Sequence, residues 1–262
     1  MKPVTITEGN TKTVISPDYR DMAEWLLSVP ERFSRGDGEV LHCGRNEVRL
    51  FDCSGTRLVV KRYKRPNMIQ RVAYTFFKKG KAERAFLFAG ELRKRGFDTP
   101  REVAYIEIKS GGLLLDSYFI SAECTLPAVA PLLDRDEPDS EAASALASLL
   151  VRLHKKGVLH GDLNLSNILY SRDGGGHFEF SLIDTNRSKF KQPTKAECLD
   201  NLKRLTHNRK LMALMAGLYA GKRGWKAGET VDEVMHELDM FEKKIAKRQN
   251  FKRLVKYKKK AR

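Results

Sequence analysis

His160-Gly161-Asp162-Leu163-Asn164-Leu165-Ser166-Asn167-Ile168-Leu169-Tyr170 is the stretch on which the reading of this chain turns. An acid at Asp162 is followed five residues later by an amide at Asn167, and Ile168-Leu169-Tyr170 then reads as a short strand. A second acid, Asp184, closes the apolar run Leu182-Ile183. Carboxylate and amide oxygens are the hard donors that Mg2+ selects, and an ion so held neutralises phosphate charge. In this pattern Asp162 accepts the proton of an attacking hydroxyl, and Asn167 and Asp184 hold the metal. A His-x-Asp tripeptide alone would say little. The full spacing through Asn167 and on to Asp184 argues against an incidental surface loop.

A third element lies upstream. Leu58-Val59-Val60-Lys61-Arg62-Tyr63 is a β-like run with one Lys at its apolar end, as in the kinase strand whose Lys contacts the ATP phosphates. Residues 77–95 follow a helical pattern, with Ala82, Ala85, Phe86, Ala89 and Leu92 as the apolar stripe. Gly96 and then Pro100 end it. Such a helix supplies a Glu to the strand Lys. Glu83 is the preferred partner of Lys61, and Glu91 is the other candidate. Gly44-Arg45-Asn46 joins two strand-like runs where a nucleotide-covering loop belongs. It is poor in glycine and equally suits an ordinary hairpin turn.

The 262 residues can bury a full core in one two-lobed domain. A hydrophobic share of 41% with 31% charged residues fits a globular protein rather than a disordered or membrane-embedded one. No run is long and apolar enough for a bilayer-spanning helix, and the first ten residues lack an apolar signal core. Cys43, Cys53, Cys124 and Cys198 show neither metal-ligand spacing nor a redox pair, so reduced thiols in a cytoplasmic setting are expected. The net charge is +16, and residues 243–262 carry eleven Lys/Arg and no acid. This tail, with Phe251, Leu254 and Val255 among its cations, suits either a basic amphipathic helix at an interface or a solvated tail.

Along the chain, residues 17–30 predict a short helix ended by Pro30, a brace on the small lobe. Gly36-Asp37-Gly38 is a turn, and residues 39–51 and 103–120 form hairpins, the second turning at Gly111-Gly112. Residues 121–125 are the expected hinge. Ser140-Glu141 starts a long helix with Leu146, Leu149, Leu150 and Leu153 buried, ended by Gly157. Asp173-Gly174-Gly175-Gly176 turns another hairpin, and Thr194-Lys195-Ala196-Glu197 has the form of a capping box. Only a short loop separates Asp184 from that box. The long peptide-docking segment of protein kinases, ending in Ala-Pro-Glu, is missing, and Gly161 stands where those enzymes carry an Arg. An acceptor other than a docked peptide is implied. The fold class is α+β and protein-kinase-like, with two lobes. A small antiparallel-sheet N-lobe with one helix and the brace spans 1–122, a mainly helical C-lobe spans 123–242, and the basic tail spans 243–262.

Together these motifs, with Gly96-Phe97-Asp98-Thr99-Pro100 and Ile183-Asp184-Thr185-Asn186-Arg187, resemble the bacterial lipopolysaccharide kinases of the Kdo/WaaP group. The resemblance runs from about Val40 to Leu205. It implies transfer of the ATP γ-phosphate to a Kdo or heptose hydroxyl of the lipopolysaccharide inner core, at the cytoplasmic face of the inner membrane. It assigns Lys61 to the phosphates with Gly44, Arg45 and Asn46 covering the nucleotide, Asp162 to the base, and Asn167 and Asp184 to Mg2+. Where that group carries its helix Glu, this chain has Leu87. The implied partners are a lipid-linked sugar acceptor and, through the tail, an anionic membrane surface; DNA is not among them. Small atypical kinases of tRNA-modifying complexes share His-Gly-Asp-Leu and a basic tail and are the alternative, with RNA or that complex as partner. They follow the metal-binding Asp with Phe-Gly, unlike Thr185-Asn186 here. A non-catalytic kinase fold that binds a partner or membrane is the third reading, although the Lys and both Asp residues are all present.

Overall fold

The computed structural model describes residues 2–260, with side chains through Phe251. The chain divides into two compact units, Met1–Leu126 with Ser181–Arg187, and Pro127–Phe180 with Ser188–Arg262. The division after Leu126 lies four residues beyond the expected boundary, and the Asp184 segment joins the first unit.

The first unit opens with a hairpin of β1 (Val4–Glu8) and β2 (Thr11–Ile15), followed by helix α1 (Ala23–Arg35). The hairpin is absent from the sequence expectations because its first strand shows only two apolar residues, Val4 and Ile6, alternating with Thr5 and Thr7, too short a pattern to stand out. Helix α1 also departs from expectation: it runs through Pro30 to Gly36, whose φ of 91° supplies the left-handed cap. A proline in a helix interior costs about 3 kcal/mol. Leu26, Val29 and Phe33 are all buried on the sheet, against Ile15, Phe51, Val60 and Ile120 among others. At about 1.5–3 kcal/mol per buried side chain, that stripe outweighs the broken hydrogen bond.

Strands β3 (Glu39–Cys43), β4 (Glu47–Cys53) and β5 (Thr56–Arg62) follow as a meander. Next come the short helix α2 (Met68–Val72), a π-turn over Ala73–Phe77, and helix α3 (Lys81–Lys94). Helix α3 thus begins four residues later than the pattern suggests. Strands β6 (Glu102–Ser110) and β7 (Leu113–Ala122) pair across Gly111-Gly112 as expected, and both glycines have positive φ, as a tight hairpin turn requires. The seven strands form one antiparallel sheet in the order β1-β2-β6-β7-β5-β4-β3. Because side chains alternate along a strand, Leu58 and Val60 of β5 point into the core at 0% exposure, and Lys61 takes the other face with Val59 and Tyr63.

In the second unit, the short α4 (Ala130–Leu133) precedes the long α5 (Ser140–Lys155). The cap of α5 is Asp139, whose carboxylate accepts the Ala142 N–H at 2.9 Å, one residue before the expected start. Leu146, Leu149, Leu150 and Leu153 are buried as the periodicity predicts. Strands β8 (Val158–Leu159), β9 (Ile168–Arg172), β10 (Phe178–Leu182) and β11 (Lys189–Phe190) make two small ladders, β9 with β10 and β8 with β11. Helix α6 (Lys195–Leu202) starts at the predicted Thr194–Glu197 capping box, with both reciprocal bonds formed. Helices α7 (Arg209–Arg223) and α8 (Ala227–Lys260) complete the unit. Helix α8 packs through Val234 and Leu238 and through ion pairs of Glu233, Glu237 and Glu242. Beyond Glu242 it continues as the basic tail, with Phe251 exposed, so the backbone of the tail is helical through Lys260. The side chains of Leu254 and Val255, and residues 261–262, lie outside the described residues.

Candidate active site

The expected constellation falls in two parts, one in each unit. In the first unit, Lys61 Nζ donates to Asp184 Oδ1 at 2.8 Å, both side chains being partly buried. Residues 61 and 184 are 123 positions apart, so their meeting is a property of the fold. Asp184 has φ 57°, a left-handed conformation that Asp tolerates better than most residues but that still carries a cost. The strain falls on the residue expected to bind metal. Two residues on, the Asn186 amide donates to the Tyr63 hydroxyl at 3.0 Å, with both groups buried. Burial raises the Tyr63 phenol well above its ordinary range and keeps it protonated. Tyr63 therefore pins the Asp184 segment to the strand that carries Lys61.

A cavity of about 290 Å³ opens beside this pair, lined by Arg45, Asn46, Tyr63, Gln70, Tyr74, Lys81, Arg84, Asp184, Asn186 and Arg187. Arg45 and Asn46 come from the β3–β4 turn, so the turn expected to cover a nucleotide does face Asp184. Gly44 starts that turn, its N–H bonded to the Asn46 carbonyl at 3.1 Å, and the Asn46 side chain fixes the turn by accepting the Lys64 N–H. Lys81 and Arg84 lie one helical turn apart on α3 and face the same cavity. Burial pushes the Lys81 ammonium below the usual lysine range, and the cations Arg45, Arg187, Arg84 and Lys61 push it further. Arg84 Nε is buried with no acceptor among the described residues. A cavity with this excess of positive charge is built to receive a polyanion.

Glu83 is not brought to Lys61. Its carboxylate pairs with Lys79 at 3.1 Å, and Glu91 pairs with Arg95 at 2.8 Å. The reason is rotation: each helical residue turns about 100°, so the positions beside Glu83 that face the cavity are 81 and 84. Both carry cations, and Lys61 takes Asp184 instead. Leu87, one turn beyond Glu83, is 40% exposed and offers no charge.

In the second unit the loop from β8 to β9 carries Asp162 and Asn167. Gly161, at φ 75°, makes the turn into it, and the buried Leu163 and Leu165 anchor it. The Asn164 side chain accepts the N–H groups of Ser166 and Asn167 at 3.0 and 3.1 Å. The Asn167 amide N–H2 donates to the Asp162 carbonyl at 2.9 Å. That bond fixes the amide and leaves its oxygen for a cation. Upstream, Asn201 accepts the His160 N–H at 3.4 Å and also meets His154 Nε2 at 3.1 Å. His154 Nδ1 meets the Tyr219 hydroxyl at 2.7 Å. Since Asn201 Oδ1 can only accept, Nε2 carries the proton and Nδ1 accepts from Tyr219. Burial lowers the His154 pKa to about 4, so the ring is neutral.

Taken singly, the Asp184 carboxylate and the oriented Asn167 amide oxygen are each hard donors of the kind Mg2+ selects. Among the described residues no group of three His, Cys, Asp or Glu could hold a metal alone. Tyr63, Lys81, Arg84 and Asn186 extend the site beyond the residues read from the sequence. Of these, Tyr63 could have been found, since it lies two residues from Lys61 on the same strand face.

The model of the "Lipopolysaccharide kinase (Kdo/WaaP) family" matches residues 44–226. A 3-deoxy-D-manno-octulosonic acid kinase of Xanthomonas oryzae pv. oryzae is 32% identical over 245 residues, covering 89% of this chain and 90% of the relative. The protein of that name from Stenotrophomonas maltophilia is 28% identical over 193 residues, covering 70% and 74%. Among solved structures, "WaaP in complex with acyl carrier protein" aligns with a TM-score of 0.59 at 18% identity, over 90% of this chain and 98% of that one. The fold is thereby protein-kinase-like, as expected. The matched span takes in the Arg45 turn, the Lys61–Asp184 pair and the Asp162–Asn167 loop together, and by it this chain belongs to the lipopolysaccharide kinase (Kdo/WaaP) family.

Proposed function

We propose that this phosphotransferase moves the γ-phosphate of ATP to a hydroxyl of a Kdo sugar in the lipopolysaccharide inner core, at the cytoplasmic face of the inner membrane. The observation that carries the reading is the cation-lined cavity built around the Lys61–Asp184 pair. It offers Arg45, Lys81 and Arg84 with no paired acid among the described residues, as a triphosphate requires. The choice of Kdo over heptose rests on the name of the Xanthomonas relative, matched over nearly its whole length.

In this reading Lys61, which gives one of its three N–H groups to Asp184, offers the others to phosphate oxygens. Asp162 accepts the proton of the acceptor hydroxyl as that oxygen attacks phosphorus. Asn167 and Asp184 would each offer an oxygen to Mg2+, which would supply neutralisation of phosphate charge. Among the described residues no helix is long and apolar enough to cross a membrane. The reading places the chain on the membrane surface through the cations of its tail.

The test is incubation with γ-labelled ATP and deacylated core fragments that end in Kdo or in heptose. Label should enter the Kdo fragment in an Asp162-dependent manner. Label entering only the heptose fragment would move the acceptor. Label entering protein or RNA would overturn the reading.

A further inference from the structure

The segment between β5 and α3 is inside out. In an ordinary surface helix the apolar side chains face the core and the polar ones face water. Here Met68, Ile69, Val72, Phe76 and Phe77 are 60%, 82%, 39%, 68% and 77% exposed. The polar residues make the anchoring contacts instead. The Arg71 guanidinium donates to the carbonyls of Leu114 at 3.0 Å and Ser110 at 2.8 Å. Thr75 Oγ1 donates to the Arg71 carbonyl at 2.7 Å and accepts the Leu114 N–H at 3.0 Å. Just before the segment, Arg65 grips Asp116 with two bonds of 2.8 Å. The segment is thus fastened to β6 and β7 by hydrogen bonds, with its large apolar side chains turned outward.

Five large apolar side chains within ten residues exceed the scattered exposure normal for a soluble surface and mark a contact site. Charge identifies the partner. From Cys53 to Ala82 there is no acid, and exposed cations stand at both ends, Lys64 and Arg65 before the segment, Lys78 and Lys79 after it. Apolar rings rimmed by Lys and Arg suit the boundary between anionic headgroups and acyl chains. The same segment sends Gln70 and Tyr74 into the cavity that holds Asp184. A surface seated on Phe76 and Phe77 would therefore lie within one short element of the phosphate site.

We infer that residues 68–77 are a lipid-docking element, which inserts Ile69, Phe76 and Phe77 into an anionic membrane and so presents the cavity to a lipid-linked acceptor. The acceptor clause rests on the function proposed above; the docking clause does not. Insertion differs from attraction through the basic tail in its response to salt. At about 1 M salt the Debye length falls to about 3 Å, and electrostatic attraction is largely lost while burial of rings persists.

The experiment is sedimentation of the full chain with vesicles of phosphatidylglycerol and phosphatidylethanolamine, at low and high salt, beside the variant Ile69→Ser/Phe76→Ser/Phe77→Ser. The three side chains are exposed, so the variant should keep the wild-type melting temperature and its turnover of a soluble sugar fragment. Its vesicle affinity should fall about tenfold or more, and its high-salt binding should disappear. An independent measurement uses Phe77→Trp, whose fluorescence should be quenched by lipids brominated on the acyl chain. Equal binding by variant and wild type, no quenching of Phe77→Trp, or loss of binding to an acidic carrier protein with vesicle binding unchanged would each overturn the inference. If soluble sugar were not phosphorylated by the wild type, the proposed function would fail while the vesicle results still decided the docking element.

Discussion

At the scale of single residues, the proposed chemistry divides between a proton acceptor and a charge pair. Asp162→Ala should lower kcat by about 10²–10⁴-fold, the usual contribution of a positioned general base, and leave the ATP dissociation constant nearly unchanged. Near-wild-type turnover in that variant would remove Asp162 from the mechanism. Lys61 and Asp184 touch at 2.8 Å, so their effects should not add. In a cycle of Lys61→Met, Asp184→Asn and the double variant, kcat/KM should show a coupling of about 0.5–3 kcal/mol. Glu83→Gln should be almost silent because its carboxylate sits on Lys79, and strong coupling between Glu83 and Lys61 would show that the helix rotates in the working enzyme. Arg84 stands on the cavity side of the helix where an acid was expected. A charge-assisted hydrogen bond contributes about 1.5–3 kcal/mol. Arg84→Gln should therefore raise the KM for Mg·ATP by roughly 10-fold to 100-fold, as measured by initial rates, and an unchanged KM would assign Arg84 elsewhere.

At the scale of elements, three helices hold the loop that carries Asp162. His154 on α5, Asn201 on α6 and Tyr219 on α7 form one hydrogen-bonded chain, and Asn201 also takes the His160 N–H. The neutral His154 ring makes this chain pH-sensitive. Its folded pKa of about 4 lies below the ordinary 6.5, so the unfolded chain binds the extra proton between those values. Stability contributed by the ring is complete above pH 6.5 and is lost as pH falls towards 4, by roughly 2–4 kcal/mol. Urea melts of wild type and His154→Gln at pH 7, 5.5 and 4 should show a steeper loss for wild type, and parallel losses would contradict the assignment. The sequence made much at this scale legible, because spacing alone marks the Asp162 loop, the Gly111-Gly112 hairpin and the Thr194 cap. What it hid depends on rotation and backbone angle. One residue of helix phase separates Glu83 from the cavity-facing Arg84, and the left-handed Asp184 and the outward-facing 68–77 segment leave no pattern in residue type. Pro30 misled for the opposite reason, because tertiary burial of Leu26, Val29 and Phe33 overrode a strong local signal.

At the scale of the whole molecule, positive charge is concentrated at the end of the chain. Helix α8 is bound to its unit as far as Glu242, through pairs with Lys195, Lys203 and Arg209. Residues 243–262 then add eleven Lys/Arg and no acid. Each Lys or Arg near an anionic bilayer contributes about 1 kcal/mol, decaying within a Debye length. One helix cannot lay all eleven on a surface, so their sum is an upper bound. Even a few would outweigh the single apolar ring of Phe251. A protein ending at Glu242 retains Lys61, Asp162, Asn167 and Asp184, the buried Val234 and Leu238 of α8 and its ion-paired glutamates. It should melt close to the wild-type temperature and phosphorylate a soluble sugar fragment at the wild-type rate. It should lose the salt-sensitive share of its binding to anionic vesicles, while the share that persists at high salt should remain with Phe76 and Phe77. Turnover of membrane-embedded acceptor should fall most at low salt, where the tail attracts most strongly, and the gap between full-length and shortened protein should narrow as salt rises. If shortening left membrane-embedded turnover unchanged at every salt concentration, or if the tail bound RNA in preference to anionic lipid, the tail would have no membrane role.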